Sequence, residues 1–93
     1  MPKVKVIFPS VLVKVTAGDK EAEVLASTLG EALDKLAVKY GDTFKEKIFD
    51  SSGKLKRLLN VSLNGKNVRL LKQLETPLEE GDEVFIFPSV SGG

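Results

Sequence analysis

The sequence contains no cysteine and no histidine. Disulfides, zinc–thiolate sites and cysteine-ligated iron–sulfur clusters are therefore excluded. So is catalysis by a Ser-His-Asp or Cys-His set within the chain. Net charge is almost absent too: 14 basic against 13 acidic residues leave +1. Nothing in that balance calls for a nucleic acid or a membrane surface as partner. No apolar run approaches the roughly 20 residues that cross a bilayer. The opening "MPKVKVIFPS" is a poor secretory signal, because its apolar run is short and meets a proline. These absences point to the cytoplasm. The 93 residues are 42% hydrophobic and 29% charged, an ordinary mix for one globular domain that can fold without cross-links.

Several segments carry a clear period. "KVKVIF" alternates, with Val4, Val6 and Phe8 on one side and Lys3, Lys5 and Ile7 on the other, which predicts a half-buried strand ending at Pro9. "KEAEVLA", after the turn signal "AGDK", predicts an antiparallel partner. The intervening "PSVLVKVT" fits either an extension of that hairpin or a bulge from it. "STLGEALDKLAVKYG" is the strongest helix. Thr28 and Glu31 form a capping box, Leu29, Leu33, Leu36, Ala37 and Tyr40 fall on one stripe, and Gly41 suits the left-handed stop. "DTFKEKIFD" predicts a short second helix capped by Asp42 and anchored by Phe44, Ile48 and Phe49.

"LLNVSLNGKNVRLL" predicts a hairpin turning at Asn64-Gly65, a pair that accepts positive φ at both positions. Leu59, Val61 and Leu63 share a face of it. After turn chemistry at Thr76-Pro77 and Gly81-Asp82, "EVFIFP" predicts a last strand with Val84 and Ile86 on one face and Phe85 and Phe87 on the other. The first and last strands are the most apolar, so they belong in the middle of the sheet. The order predicts an α+β fold of the β-grasp type: a mixed sheet of about five strands, one main helix on one face, and the last strand parallel to the first. Residues 1–88 form the domain and 89–93 a flexible tail.

The obvious chemical motifs fail. "SSGKLKR" lacks the upstream glycine and the Ser/Thr of a phosphate-binding loop. Lys54, Lys56 and Arg57 read as a solvated loop. Glu79, Glu80, Asp82 and Glu83 read as turn solvation rather than a metal or acid–base site. Asn60-Val61-Ser62 matches a glycosylation sequon, but mid-strand in a chain without a secretion signal.

The ending "FPSVSGG" is different. Two terminal glycines arise by chance in about one chain in 200, and a frayed terminus is the plain alternative. Here they follow a central strand, and Pro88, with no N–H, is expected to stop the pairing. On the sequence as it stands, nothing follows Gly93, so its α-carboxylate is expected to be free. A narrow tip without side chains can thread into another protein's active site, where glycine avoids a Cβ clash. A carboxylate is a poor electrophile, so the partner must activate it, most simply as an acyl-adenylate made with ATP. A sulfur or amine nucleophile then displaces AMP.

These residues resemble a known family. "GDEVFIFPSVSGG" is similar to the C-terminal signature of the ubiquitin-like sulfur carriers of the MoaD/ThiS group, "TLGEALDKL" to their helix and "NVSLNG" to their hairpin. "KEKIFDSSGKLKRLLNVSLNGKNVR" is most similar to the carriers with a longer middle segment, the MoaD-type proteins and the carrier of cysteine biosynthesis. The resemblance implies a carrier rather than an enzyme, with no stably bound cofactor. An E1-like enzyme would adenylate Gly93 using ATP, with Gly92 giving access, and sulfur transfer would make a C-terminal thiocarboxylate. A sulfur-accepting partner, such as the molybdopterin synthase large subunit or a cysteine synthase, would then take the sulfur. In the first case the chain would be the small subunit of molybdopterin synthase. The longer middle segment argues against the thiamine role.

The family's partner surface implies a patch of Ile7, Phe85, Phe87 and Val90. Against it stand burial of the two phenylalanines under a loop and an opposite strand phase. Two other functions stay open: a ubiquitin-type modifier joined to lysines, and a non-covalent β-grasp interaction domain whose tail is incidental.

Overall fold

A computed structural model describes residues 1–88 of the chain. Strand β1 (Lys3–Ile7) pairs antiparallel with β2 (Glu21–Leu25). Helices α1 (Leu29–Tyr40) and α2 (Asp42–Ile48) follow, then the hairpin β3 (Leu59–Leu63) and β4 (Lys66–Asn67), and finally β5 (Glu83–Pro88). The sheet order is β2-β1-β5-β3-β4, with β5 parallel to β1 and antiparallel to β3. The two most apolar strands thus lie side by side in the interior of the sheet. This is the β-grasp arrangement that the sequence predicts.

The core lies on one face of that sheet. Val4, Val6 and Phe8 point into it from β1 and its end, Val61 from β3, and Val84 and Ile86 from β5. They meet Leu29, Ala32, Leu33 and Leu36 of α1, with Ala37 and Tyr40 at the margin. Each fully buried Val or Leu side chain contributes about 1.5–3 kcal/mol relative to exposure. The helix therefore lies on the sheet because its stripe has nowhere else to go. Its start is fixed from both directions. The Thr28 hydroxyl oxygen accepts from the Glu31 N–H at 3.2 Å, and the Glu31 carboxylate accepts from the Ser27 N–H at 2.6 Å. The return bond thus reaches one residue beyond the Thr28 N–H that a capping box would serve.

The uncertain segment after Pro9 is neither hairpin nor bulge. Ser10–Val15 coils into a 3-10 turn that buries Leu12. The buried Thr16 hydroxyl donates to the Asp19 carbonyl at 2.7 Å, which satisfies a polar group with no access to water. Phe8, Tyr40 and Phe44 pack as an aromatic trio, with ring centroids 5.4–5.9 Å apart. The Tyr40 hydroxyl donates to the Asp19 carboxylate at 2.7 Å. Burial, followed by that hydrogen bond and the carboxylate's charge, pushes the phenol up to about 12.

Two local expectations need correction. Asp42 is not a cap: it lies within the first turn of α2, behind Gly41 at φ 98°, and no side chain caps that helix. Its charge still suits the helix N-terminus. The Asn64-Gly65 turn forms with φ of 50° and 90°, but β4 lasts only two residues. Asn67 accepts from the Arg69 N–H at 2.8 Å, and the chain coils through Val68–Leu70, burying Val68 completely. That local side-chain bond competes with the ladder. β5 does end at Pro88, as expected. The proline stands in register with Leu59 as the last residue of β5, a position where a missing N–H is tolerated.

Candidate functional site

Among the described residues no helix covers the second face of the sheet, and the register decides what that face displays. Ile7 lies beside Glu21 on one side and Phe85 on the other, and Phe85 lies beside Ser62, which lies beside Asn67. One step along, Phe87 lies beside Asn60. Ile7, Phe85 and Phe87 therefore share one surface, the two phenylalanines two residues apart on an interior strand. Phe85 is 37% and Phe87 43% exposed, and Ile7 is half-buried. No loop of the described residues covers them, and the strand phase is the expected one. Val90, Gly92 and Gly93 lie outside the described residues.

The surroundings of this patch are polar and asymmetric. Toward β2, Lys5 Nζ stands 3.6 Å from Glu21 and lies in register between Glu23 and Glu83. An exposed pair of this kind contributes little to stability. At the start of β5, the acidic turn is a hydrogen-bonded structure. Asp82 accepts from the Glu79 N–H at 2.7 Å and from the Asn64 amide at 2.9 Å, and Glu80 accepts from the Lys3 N–H at 2.9 Å. These carboxylates tie the turn to β1 and to the hairpin, in keeping with the turn role expected of them. Among the described residues no group of His, Cys, Asp or Glu could hold a metal ion.

The "SSGK" loop is likewise spoken for. The Asp50 carboxylate accepts from the backbone N–H groups of Ser52 and Lys54 at 2.8 and 3.1 Å. Those are the donors a phosphate would need. One residue escaped the sequence reading: Arg69, twelve positions from Arg57, whose guanidinium returns to the start of β3. Only the coil after β4 brings it there, and no local pattern announces that. Among the described residues this face carries an exposed apolar patch formed by Ile7, Phe85 and Phe87.

Among the described residues no helix is long and apolar enough to cross a membrane.

Comparison with known proteins agrees with this geometry. The sequence matches the ThiS family over residues 6–93. It is 36% identical over 92 residues to the sulfur carrier protein CysO of Mycobacterium tuberculosis, covering 97% of this chain and 98% of that one. Among solved structures, a chain of the BexX/CysO complex of Amycolatopsis orientalis superposes with a TM-score of 0.87 at 32% identity, covering 97% of this chain and 99% of that one. The small archaeal modifier protein 1 of Methanosarcina acetivorans superposes with a TM-score of 0.85 at 34% identity, covering 100% and 98%.

Proposed function

Because this chain belongs to the ThiS family, we propose that it is a sulfur carrier that works through its C-terminal glycine. The observation that carries this reading is the end-to-end likeness to a CysO protein, 98% of whose length is covered. The chain does not act as an enzyme; it is the substrate of two others. In the first step an E1-like enzyme joins the Gly93 carboxylate to AMP from ATP and releases pyrophosphate. In the second, a sulfur nucleophile attacks the acyl carbon, AMP leaves, and a thiocarboxylate remains. A sulfur-accepting enzyme then takes the sulfur. Likeness to CysO favours an acceptor of the cysteine synthase type over molybdopterin synthase.

In this cycle the folded body is the handle. Ile7, Phe85 and Phe87 dock on the partner, with Val90 and Gly92 passing into its active site. Residue 89 follows directly from β5, so docking the face also aims the tail. Exposed aromatics on a rigid strand suit such a role, since little side-chain freedom is lost on binding. The first step is tested by pyrophosphate exchange into ATP with the E1-like enzyme of the source organism. Exchange should depend on this chain and vanish on deleting Gly92-Gly93.

A second reading has its own support. The likeness to a small archaeal modifier protein at 34% identity favours a chain that can also be joined to lysines, since an amine can displace AMP as sulfur does. High-mass conjugates of a tagged form, lost on deletion of Gly92-Gly93, would establish it. Their absence across growth conditions would leave sulfur transfer alone.

A further inference from the structure

The basic loop that reads as mere solvation in the sequence changes meaning once the chain is folded. The Arg69 guanidinium reaches over the start of β3. It donates to the carbonyl oxygens of Lys56 and Arg57 at 3.1 and 3.2 Å and to Asn60 Oδ1 at 3.4 Å. Asn60 is the register partner of Phe87, and Leu59 that of Pro88. Lys56, Arg57 and Arg69 are therefore gathered beside the last two residues of β5, where the chain passes to residue 89. All three are exposed. Among the described residues, the ion pair that forms is Lys5–Glu21, and none of these three cations takes part in it. Like charges placed close together repel one another slightly, and no carboxylate of the described residues pairs with these three.

The other end of β5 has the opposite sign. Glu79, Glu80, Asp82 and Glu83 cluster at its start. An interior strand thus runs from a negative pole to a positive one in a chain whose net charge is only +1. An extended polyanion lying along the strand would meet the acidic pole, so a nucleic acid is disfavoured.

We propose that Lys56, Arg57 and Arg69 form a basic collar that docks on an acidic protein surface at the rim of the site that takes up the tail. The proposal rests on the carrier reading above for the identity of that protein. The two poles orient the approaching carrier so that the end of β5 arrives first. Complementary charge acts mainly on the rate of encounter and on the choice of partner. Arg69 contributes its charge and also holds the collar in place, since its Nη2 donates to both carbonyls and its Nη1 to Asn60.

The test compares Lys56→Glu, Arg57→Glu and their double variant with Lys66→Glu, which changes an exposed lysine at the opposite end of β3. Pyrophosphate exchange with the E1-like enzyme is measured against carrier concentration. The double variant should raise KM about tenfold or more, leave kcat nearly unchanged, and lose its disadvantage at high salt. Lys66→Glu should stay within about twofold of the parent. An unchanged KM for the double variant, or an equal rise for Lys66→Glu, overturns the collar.

A second measurement stands without the enzyme. On titration of the intact chain with a polyglutamate peptide, amide signals of residues 56–58 and 69 should shift while those of Lys39, Lys45 and Lys47 stay in place. An even response over all exposed lysines, or tighter binding of a single-stranded oligonucleotide at the same residues, overturns the proposal. A parent chain that supports no exchange counts against the carrier reading, and the peptide titration then decides the collar on its own.

Discussion

Ile7 on β1 and Phe85 on β5 are register partners across the parallel pair, and both side chains fall on the sheet face opposite α1. Their neighbours one step inward in sequence, Val6 and Val84, are also partners and are fully buried. The same two strands thus build the core with one side and an exposed apolar patch, the proposed docking surface, with the other.

This division predicts that Phe87→Ser separates binding from folding. The side chain is 43% exposed, so the substitution should cost about 1 kcal/mol or less in a urea titration. It should weaken the complex with the E1-like enzyme by about 2 kcal/mol, roughly thirtyfold. Unchanged affinity in a calorimetric titration would remove Phe87 from the interface.

A contrast within α1 measures the other face. Leu33 is fully buried and Val38 is 87% exposed. Leu33→Ala should cost about 2–5 kcal/mol through lost transfer energy and the cavity left behind. Val38→Ala should stay within about 0.5 kcal/mol, because alanine is the better helix former and no packing is lost. Equal costs for the two variants would mean that α1 lies on the sheet through a different face.

These contrasts also show where sequence reading succeeds. Alternation in β1 and β5 and the stripe of α1 are repeated signals, each residue reinforcing the next, so sheet order, helix face and the exposed phenylalanines were all legible. The failures sit where one polar contact outweighs a pattern. Asn67 captures the Arg69 N–H and ends β4 after two residues. Glu31 reaches Ser27 instead of Thr28. Thr16 and Leu12 fold the segment after Pro9 into a 3-10 turn. The collar residue Arg69 was illegible for a related reason: its partners lie nine to thirteen positions away, beyond any local period.

Tyr40 supplies a pH prediction. Its phenol is raised from 10.0 to about 12. A group whose native pKa is raised stabilises the fold fully below the unfolded value and loses that contribution as pH climbs through the native one. Stability should therefore fall between about pH 10 and pH 12. Tyr40→Phe should cost about 1 kcal/mol at neutral pH, through the lost bond to Asp19, and should flatten the alkaline fall. Because Tyr40 is the single tyrosine, ultraviolet titration reads it alone. A midpoint near 10 would contradict the partly buried, Asp19-bonded phenol.

A chain ending at Ser91 tests whether the tail matters. The denaturation midpoint should not move by more than about 0.5 kcal/mol equivalent, as the truncation leaves the core described within residues 1–88 intact. Complementation of a strain lacking the gene should fail. Full complementation by the truncated chain would make the tail incidental and the protein a non-covalent interaction domain.

The central claim is that sulfur is carried on Gly93. The most direct measurement is the mass of the C-terminal peptide after incubation with the E1-like enzyme, ATP and a sulfide source. The account predicts exchange of one oxygen for one sulfur, confined to the fragment containing Gly93 and dependent on ATP. An unshifted fragment, from an enzyme preparation that loads sulfur onto another carrier, would contradict it.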